Sequence, residues 1–561
     1  MCGILSILRY DPILCKKIEE IKDNFLVHNE RGPEQSDFIN NEDFNYVLGF
    51  HRLAINGCSD PNSMQPLNLG NKTLICNGEI YNWEELAILS ESKCTTGSDC
   101  EIILHLYEKY GIEKTLQMLD GVFAFTLIDR DENKAFVARD PFGVRPLFVW
   151  SQDNNFRLPM VFASELKLGQ DIVNLDPRPF PPGHYLETDL LYNEDKLLDY
   201  IRETCTLKYM AKPFYSTNVS INTGITTKEQ AYEVIRTSLT SAVEKRIKSN
   251  NRDRGAVCLL SGGLDSSLIA ALVAKYLDTH GGEKLHTWSI GLNGSEDLKK
   301  ARIVAEHIGS IHHEVMLTET DFLNAIPEVI EAIESNDTTT VRASVGNWLI
   351  SKHIKEKSDD KIVFNGDGSD EVAGGYLYFH CAPNPIEFDL ECKRLLKDIH
   401  LFDVLRSDRS ISIHGLEART PFLDKNFVDS YLSIPQFLRD HKYNNECEKY
   451  LIRNAFKDSG LLPDEILFRT KEAFSDGVST ETKSWFEIIQ EYAVAETGEQ
   501  DKKKAEQLYY DNIFNRHYGT SANRKVNTEF IMPYKWMPKF IEATDASART
   551  LDVYTKVNNS N

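Results

Sequence analysis

The chain is 561 residues long, with 41% hydrophobic and 26% charged residues and a formal net charge of −22. That is an ordinary globular composition for two to four domains. Its acidic balance excludes nucleic acid and anionic lipid as favoured partners, because both carry negative charge. The eleven cysteines contain no Cys-x-x-Cys pair, which argues against a zinc site and a disulfide framework. No apolar run approaches the ~18 residues of a membrane span. An odd cysteine count without a signal peptide fits a reducing, cytoplasmic setting.

The N-terminus reads Met1-Cys2-Gly3-Ile4. Initiator methionine is commonly trimmed before a small residue, and trimming would leave Cys2 with a thiol and a free α-amine. These groups titrate at about 8.5 and 7.7–8.0, the nucleophile and base that covalent catalysis pairs. A small apolar residue at a strand start is the plain alternative. Residues 13–28 and 98–111 then read as helices, the second starting on a Ser98/Asp99 cap. Strand-like runs lie at 44–56, 72–82, 121–129, 134–140 and 146–150, separated by Gly, Asn, Asp and Pro clusters. This is an α+β layered pattern.

The pattern changes after a polar stretch at 190–225. A long helix with a Thr cap is predicted over 226–249. Strands at 255–260, 284–292 and 312–317 alternate with helices at 265–278 and 295–309. That βαβαβ order predicts a parallel sheet with helices on its faces. Beyond about 320 the chain reads as mostly helical.

"LLSGGLDSS" (259–267) sits at a strand-to-helix turn. Gly262 and Gly263 allow close backbone approach, and the helix N-terminus offers free amides, a combination that binds phosphate. It is not the Gly-x-x-x-x-Gly-Lys-Ser/Thr loop. Asp265 beside an anion site implies an intervening cation, read as Mg²⁺, with Ser261 and Ser266 donating to phosphate oxygens. A second polar loop, "NGDGSDE" (365–371), ends a strand where ligands of a parallel sheet bind.

At this point the sequence resembles the glutamine-hydrolysing asparagine synthetase family. The resemblance spans nearly the whole chain and is closest to eukaryotic-type members in "FGVRPL", "LFDVLR", "KEAFSDG" and "ATDASARTL". It implies an α+β N-terminal-nucleophile layered glutaminase domain (2–208). A linker (209–225) would follow, then an α/β ATP-pyrophosphatase-type domain with a parallel sheet and a largely helical C-terminal part (226–545), and a tail (546–561). In the first domain the matching motifs are Arg31-Gly32-Pro33, "HRLAIN" (51–56), "NGEIYN" (77–82), "GSDCEI" (97–102) and "RDPFGVRPL" (139–147). They imply that Cys2 attacks the glutamine amide, with Asn77 and the Gly78 amide as oxyanion hole. Arg52 and Asp99 would hold the substrate's carboxylate and amine, with Leu53, Ala54, Ile55, Asn56 and Glu79 around it.

In the second domain the resemblance implies ATP·Mg²⁺ at Leu259, Leu260, Ser261, Gly262, Gly263, Asp265, Ser266, Ile290, Asn365 and Gly366, with Asp265 and Asp370 on the metal. Thr340, Arg342, Lys449 and Lys471, in "DTTTVRAS", "EKYLIR" and "FRTKEAFSDGV", would face aspartate and pyrophosphate. Arg342 and Lys471 could each instead be an ion-pair partner. The implied reaction makes asparagine from aspartate, ATP and glutamine-derived ammonia through β-aspartyl-AMP, with ammonia crossing inside the protein. Its partners are small molecules, and a homodimer stays open. Two turns depart from the family. His-Arg-Gly-Pro-Asp reads Glu30-Arg31-Gly32-Pro33-Glu34, and Ser-Gly-Glu-Gly-Ser-Asp reads Asn365-Gly366-Asp367-Gly368-Ser369-Asp370. The second shortens by one methylene the carboxylate, Asp367, associated with forming the aspartyl-adenylate. An amidotransferase acting on another carboxylate and a non-catalytic homologue are the alternatives.

Overall fold

The computed structural model describes residues 1–151, 158–191, 211–249, 254–469, 484–526 and 536. The first part builds two antiparallel sheets. One runs Pro177–Pro179, Phe148–Trp150, Met160–Ala163, Gly3–Leu8, Tyr46–Arg52, Gln35–Asn41 in spatial order. The other runs Lys212–Pro213, His184–Asp189, Lys134–Arg139, Gly121–Asp129, Lys72–Ile80, Leu67–Leu69. Strand side chains alternate between faces, and the strand "GILSIL" shows what this does. Ile4 and Leu8 join Leu48, Ile75, Val137 and Phe162 between the sheets, while Leu5 and Ile7 point the other way, toward Phe25, Phe148 and Ile326. Every residue of this strand is buried. The outer face of the second sheet is covered by helices Trp83–Ser90 and Glu101–Met118 through Ile102, Leu106 and Leu116.

The helix predicted at 98–111 begins at Glu101 and carries no side-chain cap. Asp99 cannot cap it, because its carboxylate accepts the Ile80 amide at 2.6 Å. The helical segment also runs on to Met118 across a kink at Gly111, where φ is +74°. The Thr cap of the next long helix is present: Thr227 and Gln230 form a reciprocal capping box before Lys228–Lys248.

The second part is a parallel sheet in the order Ile311–Leu317, His286–Leu292, Ala256–Leu259, Ile362–Phe364, Glu417–Arg419. Helices Leu264–Thr279 and Glu296–Ile308 pack on one face, Glu319–Ile333 and Thr338–Lys357 on the other. Both cores run into the first part. Leu53, Ile55, Val122, Phe142 and Val144 join the core of Leu268 and Phe364. Met1, Leu5 and Ile7 join that of Trp288 and Val345. No helix among the described residues is long and apolar enough to cross a membrane.

Buried charge crosses the same seam. Arg31 is 1% exposed and donates to Asp408 at 2.7 Å, to Ser412 Oγ at 2.7 Å and to the Cys2 carbonyl at 3.1 Å. Removing one partner of such a pair strands the other charge, at a cost of about 3–5 kcal/mol. Arg31→Met is therefore expected to lower the thermal unfolding midpoint, and Arg31→Met with Asp408→Leu to recover most of the loss.

Candidate active sites

The register that pairs Gly3 with His51 sets Cys2 beside Arg52 at the end of neighbouring strands. The Cys2 thiol reaches the Leu53 carbonyl at 3.6 Å. Met1 is buried ahead of it, its ammonium donating to the Leu416 carbonyl at 3.2 Å. Burial holds this ammonium down at about 6 and pushes the Cys2 thiol up to about 11. A buried α-amine here is thus a free base near neutral pH, whereas the thiol needs one.

Asn77 is fully buried, and neither its amide oxygen nor its nitrogen has a hydrogen-bond partner. An unpaired buried amide is costly, so it marks a place where a ligand oxygen would be received. Gly78 follows it, with a Cβ there meeting the Val122 carbonyl at 2.4 Å. Arg52 is 7% exposed and donates to Gln35 at 3.0 Å, to the Gly57 carbonyl at 2.8 Å and to Ser63. It pairs with no carboxylate among the described residues, which suits it to a substrate anion. Asp99 is pushed up to about 6 by burial, although the Ile80 amide favours its charged form. Asn56 donates to Glu79 at 2.7 Å, and Ala54 N donates to Glu34 at 2.8 Å. Glu79 is raised far above its usual range by burial and then by Glu417 and Asp99, with Arg419 only 3.4 Å away to oppose them.

The two polar loops of the parallel sheet meet. A Cβ on Gly366 would lie 2.7 Å from the Ser266 amide and 2.8 Å from Asp265 Cβ, so the second loop lies directly on the start of helix Leu264–Thr279. Gly262 has φ +71°, and a Cβ there would meet the Ala301 amide and Lys300 Cβ at 2.5 Å, so any side chain is excluded. Ser261 and Ser266 bond each other at 2.9 Å, and Ser266 Oγ accepts the Ser261 amide at 3.1 Å. Leu260 bonds its amide to the Trp288 carbonyl at 2.8 Å, and Leu259 and Ile290 lie on adjacent strands. Lys449, 3% exposed in a left-handed conformation, places its ammonium 2.7 Å from Asp265 and 2.5 Å from Asp370. Gly375 makes room for it: a Cβ there would meet Lys449 Cε at 1.9 Å. Hard carboxylate oxygens already gathered around one positive charge are the donor type Mg²⁺ takes.

Asp367 is half-buried and pushed up to about 7, by burial first and by Asp403 second. Asn365 bonds Ser407 at 2.6 Å and accepts the Asp367 amide at 3.3 Å, and Gly368 N donates to Asp403 at 2.8 Å. This fixes the altered turn to the "LFDVLR" helix.

Arg342 is held elsewhere. It donates to both oxygens of Glu506, at 2.7 and 2.5 Å, and Glu506 has no solvent exposure. Thr340, nearby, is buried with an unbonded hydroxyl. Lys471 lies outside the described residues. The stretch "LEARTPFLD" (416–424) belongs by resemblance to the same aspartate and pyrophosphate set as "DTTTVRAS", but its Glu417 and Arg419 were not singled out from the sequence. Two charges within an apolar run were the available signal. Glu506 lies in a lysine-rich helix and left none. Because Arg342 balances a buried carboxylate, Arg342→Ala is expected to destabilise by about 3–5 kcal/mol. Adding Glu506→Gln should recover part of this in thermal denaturation.

A family model described as Glutamine amidotransferase domain matches residues 1–203, and one described as Asparagine synthase matches 234–389 and 384–537. Asparagine synthetase [glutamine-hydrolyzing] of Gallus gallus is 42% identical over 576 residues, covering 99% of each chain. The protein of that name from Homo sapiens is 41% identical over 586 residues, again covering 99% of each. Among solved structures, a glutamine phosphoribosylpyrophosphate amidotransferase of B. subtilis aligns at 17% identity, over 57% of this chain and 91% of that one, with a TM-score of 0.32. On full-length similarity and both domain models, the chain belongs to the glutamine-hydrolysing asparagine synthetase family.

Proposed function

We propose that the chain makes L-asparagine from L-aspartate and ATP with ammonia released from glutamine, giving glutamate, AMP and pyrophosphate. The full-length family match carries this reading, and the buried, unbonded Asn77 amide supports its first half. Neither an amidotransferase for another carboxylate nor a non-catalytic homologue is favoured. With Met1 removed, the free amine of Cys2 takes the thiol proton as sulfur attacks the glutamine amide. Asn77 and the Gly78 amide then face the developing oxyanion, while Arg52 and Asp99 hold the substrate's carboxylate and ammonium. Leu53, Ala54, Ile55, Asn56 and Glu79 line the substrate's path.

In the second site, ATP is proposed between the 259–266 and 365–371 loops, beside Ile290. Asp265 and Asp370 would hold Mg²⁺, which when bound neutralises pyrophosphate charge. Lys449 shares that charge. Thr340, Arg342 and Lys471 are assigned to aspartate and pyrophosphate, and Arg342 would have to exchange Glu506 for a substrate carboxylate. The aspartate β-carboxylate becomes an acyl-adenylate, pyrophosphate leaves, and ammonia displaces AMP. Ammonia must arrive unprotonated, which requires an internal passage between the two parts. The domain limits 2–208 and 226–545, a cytoplasmic setting and the absence of nucleic-acid and membrane partners complete the proposal.

If Cys2 serves only glutamine hydrolysis, Cys2→Ala is expected to lose glutamine-dependent asparagine synthesis and keep ammonia-dependent synthesis. Loss of both in a folded protein, or survival of glutamine use, would refute the assignment. Asp367 acts as proton acceptor for attacking ammonia in this scheme, and its raised carboxyl is charged only above about 7. Synthesis at fixed free ammonia should therefore fall as pH drops through about 7. Asp367→Ala should lose on the order of 10²-fold with either nitrogen source, keep glutaminase activity, and contrast with Asp367→Glu, which should keep measurable synthesis. Full synthesis by Asp367→Ala would remove this residue from the mechanism.

A further inference from the structure

Glu34 stands where the family pattern has aspartate, and its carboxylate does two things at once. Oε2 accepts the Ala54 amide at 2.8 Å. The guanidinium of Arg254 forks onto the same carboxylate, Nη1 to Oε1 at 2.8 Å and Nη2 to Oε2 at 3.2 Å. Arg254 Nε donates to Cys58 Sγ at 3.0 Å, and that thiol donates to the carbonyls of Ala54 and Ile55 at 3.4 and 3.3 Å. The segment from Leu53 to Cys58 follows Arg52 and carries Asn56. It is thus gripped at its amide by Glu34 and through Cys58 by Arg254.

Arg254 comes from the other domain, and its backbone is fixed. Its carbonyl accepts the Lys361 amide at 2.8 Å. Gly255, next in the chain, has φ +55°, and Asp360 Oδ1 lies 1.9 Å from where its Cβ would stand. The left-handed conformation favours glycine there, and the Ile362 amide donates to the Gly255 carbonyl at 3.4 Å, so the start of strand Ala256–Leu259 is bonded to its neighbour. The other end of this strand runs into the Ser261–Ser266 loop. One short strand therefore carries the grip on the glutamine loop at one end and the nucleotide loop at the other. An aspartate at 34 would be shorter by about 1.5 Å, one carbon–carbon bond. It could not reach the Ala54 amide and both guanidinium nitrogens together.

We propose that Glu34 and Arg254 are positioning residues for the glutamine half-reaction. They form a carboxylate–guanidinium fork by which the synthetase domain sets the glutamine-binding loop of its neighbour. This rests on the function proposed above. Bidentate charge-assisted pairs fix geometry as well as energy, and the Arg254 and Glu34 side chains are 20% and 28% exposed, so water competes only partly.

The test uses the full chain and the variants Glu34→Gln, Glu34→Asp, Arg254→Gln, Arg254→Lys and the double Glu34→Gln/Arg254→Gln. For each, glutaminase KM and kcat are measured beside ammonia-dependent asparagine synthesis. Each Gln variant is expected to raise the KM for glutamine about tenfold, the scale of one interaction of this kind. Glutaminase kcat and ammonia-dependent synthesis should stay within about twofold. The double variant should be no worse than either single one, because both remove the same fork. Glu34→Asp and Arg254→Lys should each recover only part, having lost reach and the second donor. An unchanged KM, additive effects, or a parallel fall in ammonia-dependent synthesis would overturn the proposal. A wild-type protein that makes no asparagine from either nitrogen source would refute the function instead, and the glutaminase KM values would still decide the pair.

Discussion

Arg419 has almost no contact with solvent, and a charge so placed is tolerable only against paired carboxylates. Its Nε holds Glu417 at 2.9 Å and its Nη2 lies 3.4 Å from Glu79, with the Tyr81 ring 5.6 Å from the guanidinium carbon. Its backbone carbonyl accepts the amide of Asn365 at 3.1 Å. One residue thus ties the glutamine site, through its side chain, to the loop of Asn365 and Asp367, through its main chain. Arg145 adds a second cation, 3.4 Å from Glu417, which burial acts to raise but Arg419 and Arg145 together hold below its usual range. Glu79 and Asp99 are raised by burial and by Glu417, whose charge the two guanidinium groups oppose.

The synthetase site follows a related logic with the signs reversed. Two carboxylates, Asp265 and Asp370, converge on a loop built for anions, and Lys449 makes that convergence possible. Glycines set how close the loops come. Those at 366 and 375 leave the second loop against helix Leu264–Thr279 and leave Lys449 space to reach across. Ser261 and Ser266, hydrogen-bonded to each other, stand at the turn between strand and helix.

The sequence was most informative where periodicity and turn chemistry act alone. The alternation from Ala256 to Leu317 predicted the parallel strands and their helices, and Thr227 announced its helix correctly. The reading at 98 failed because tertiary structure claimed Asp99 for the Ile80 amide, and no local pattern records such a competition. Short strands such as Met160–Ala163 and Glu417–Arg419 were equally hidden, since three or four residues carry no period. Motif resemblance singled out Cys2 and Arg52, which the register of their strands sets side by side, and Asp265, which meets Lys449. It could not tell that Arg342 faces Glu506, because a pair 164 positions apart leaves no mark on either segment. Glu417 and Arg419 went unnoticed for the same reason, since Arg145 and Glu79, which face them, lie hundreds of positions away.

The burial of Met1 carries a consequence for timing. Its ammonium bonds to the Leu416 carbonyl, 415 positions later in the chain. A peptidase that frees Cys2 needs the first residues exposed, and they stay exposed only until the segment around Leu416 has been made and docked. Synthesis at about 5–20 residues per second leaves roughly 20–80 s for that step. Afterwards the bond to be cut lies inside the joint between two domains. If the proposed use of the Cys2 amine holds, removal of Met1 has to precede docking of the segment around Leu416.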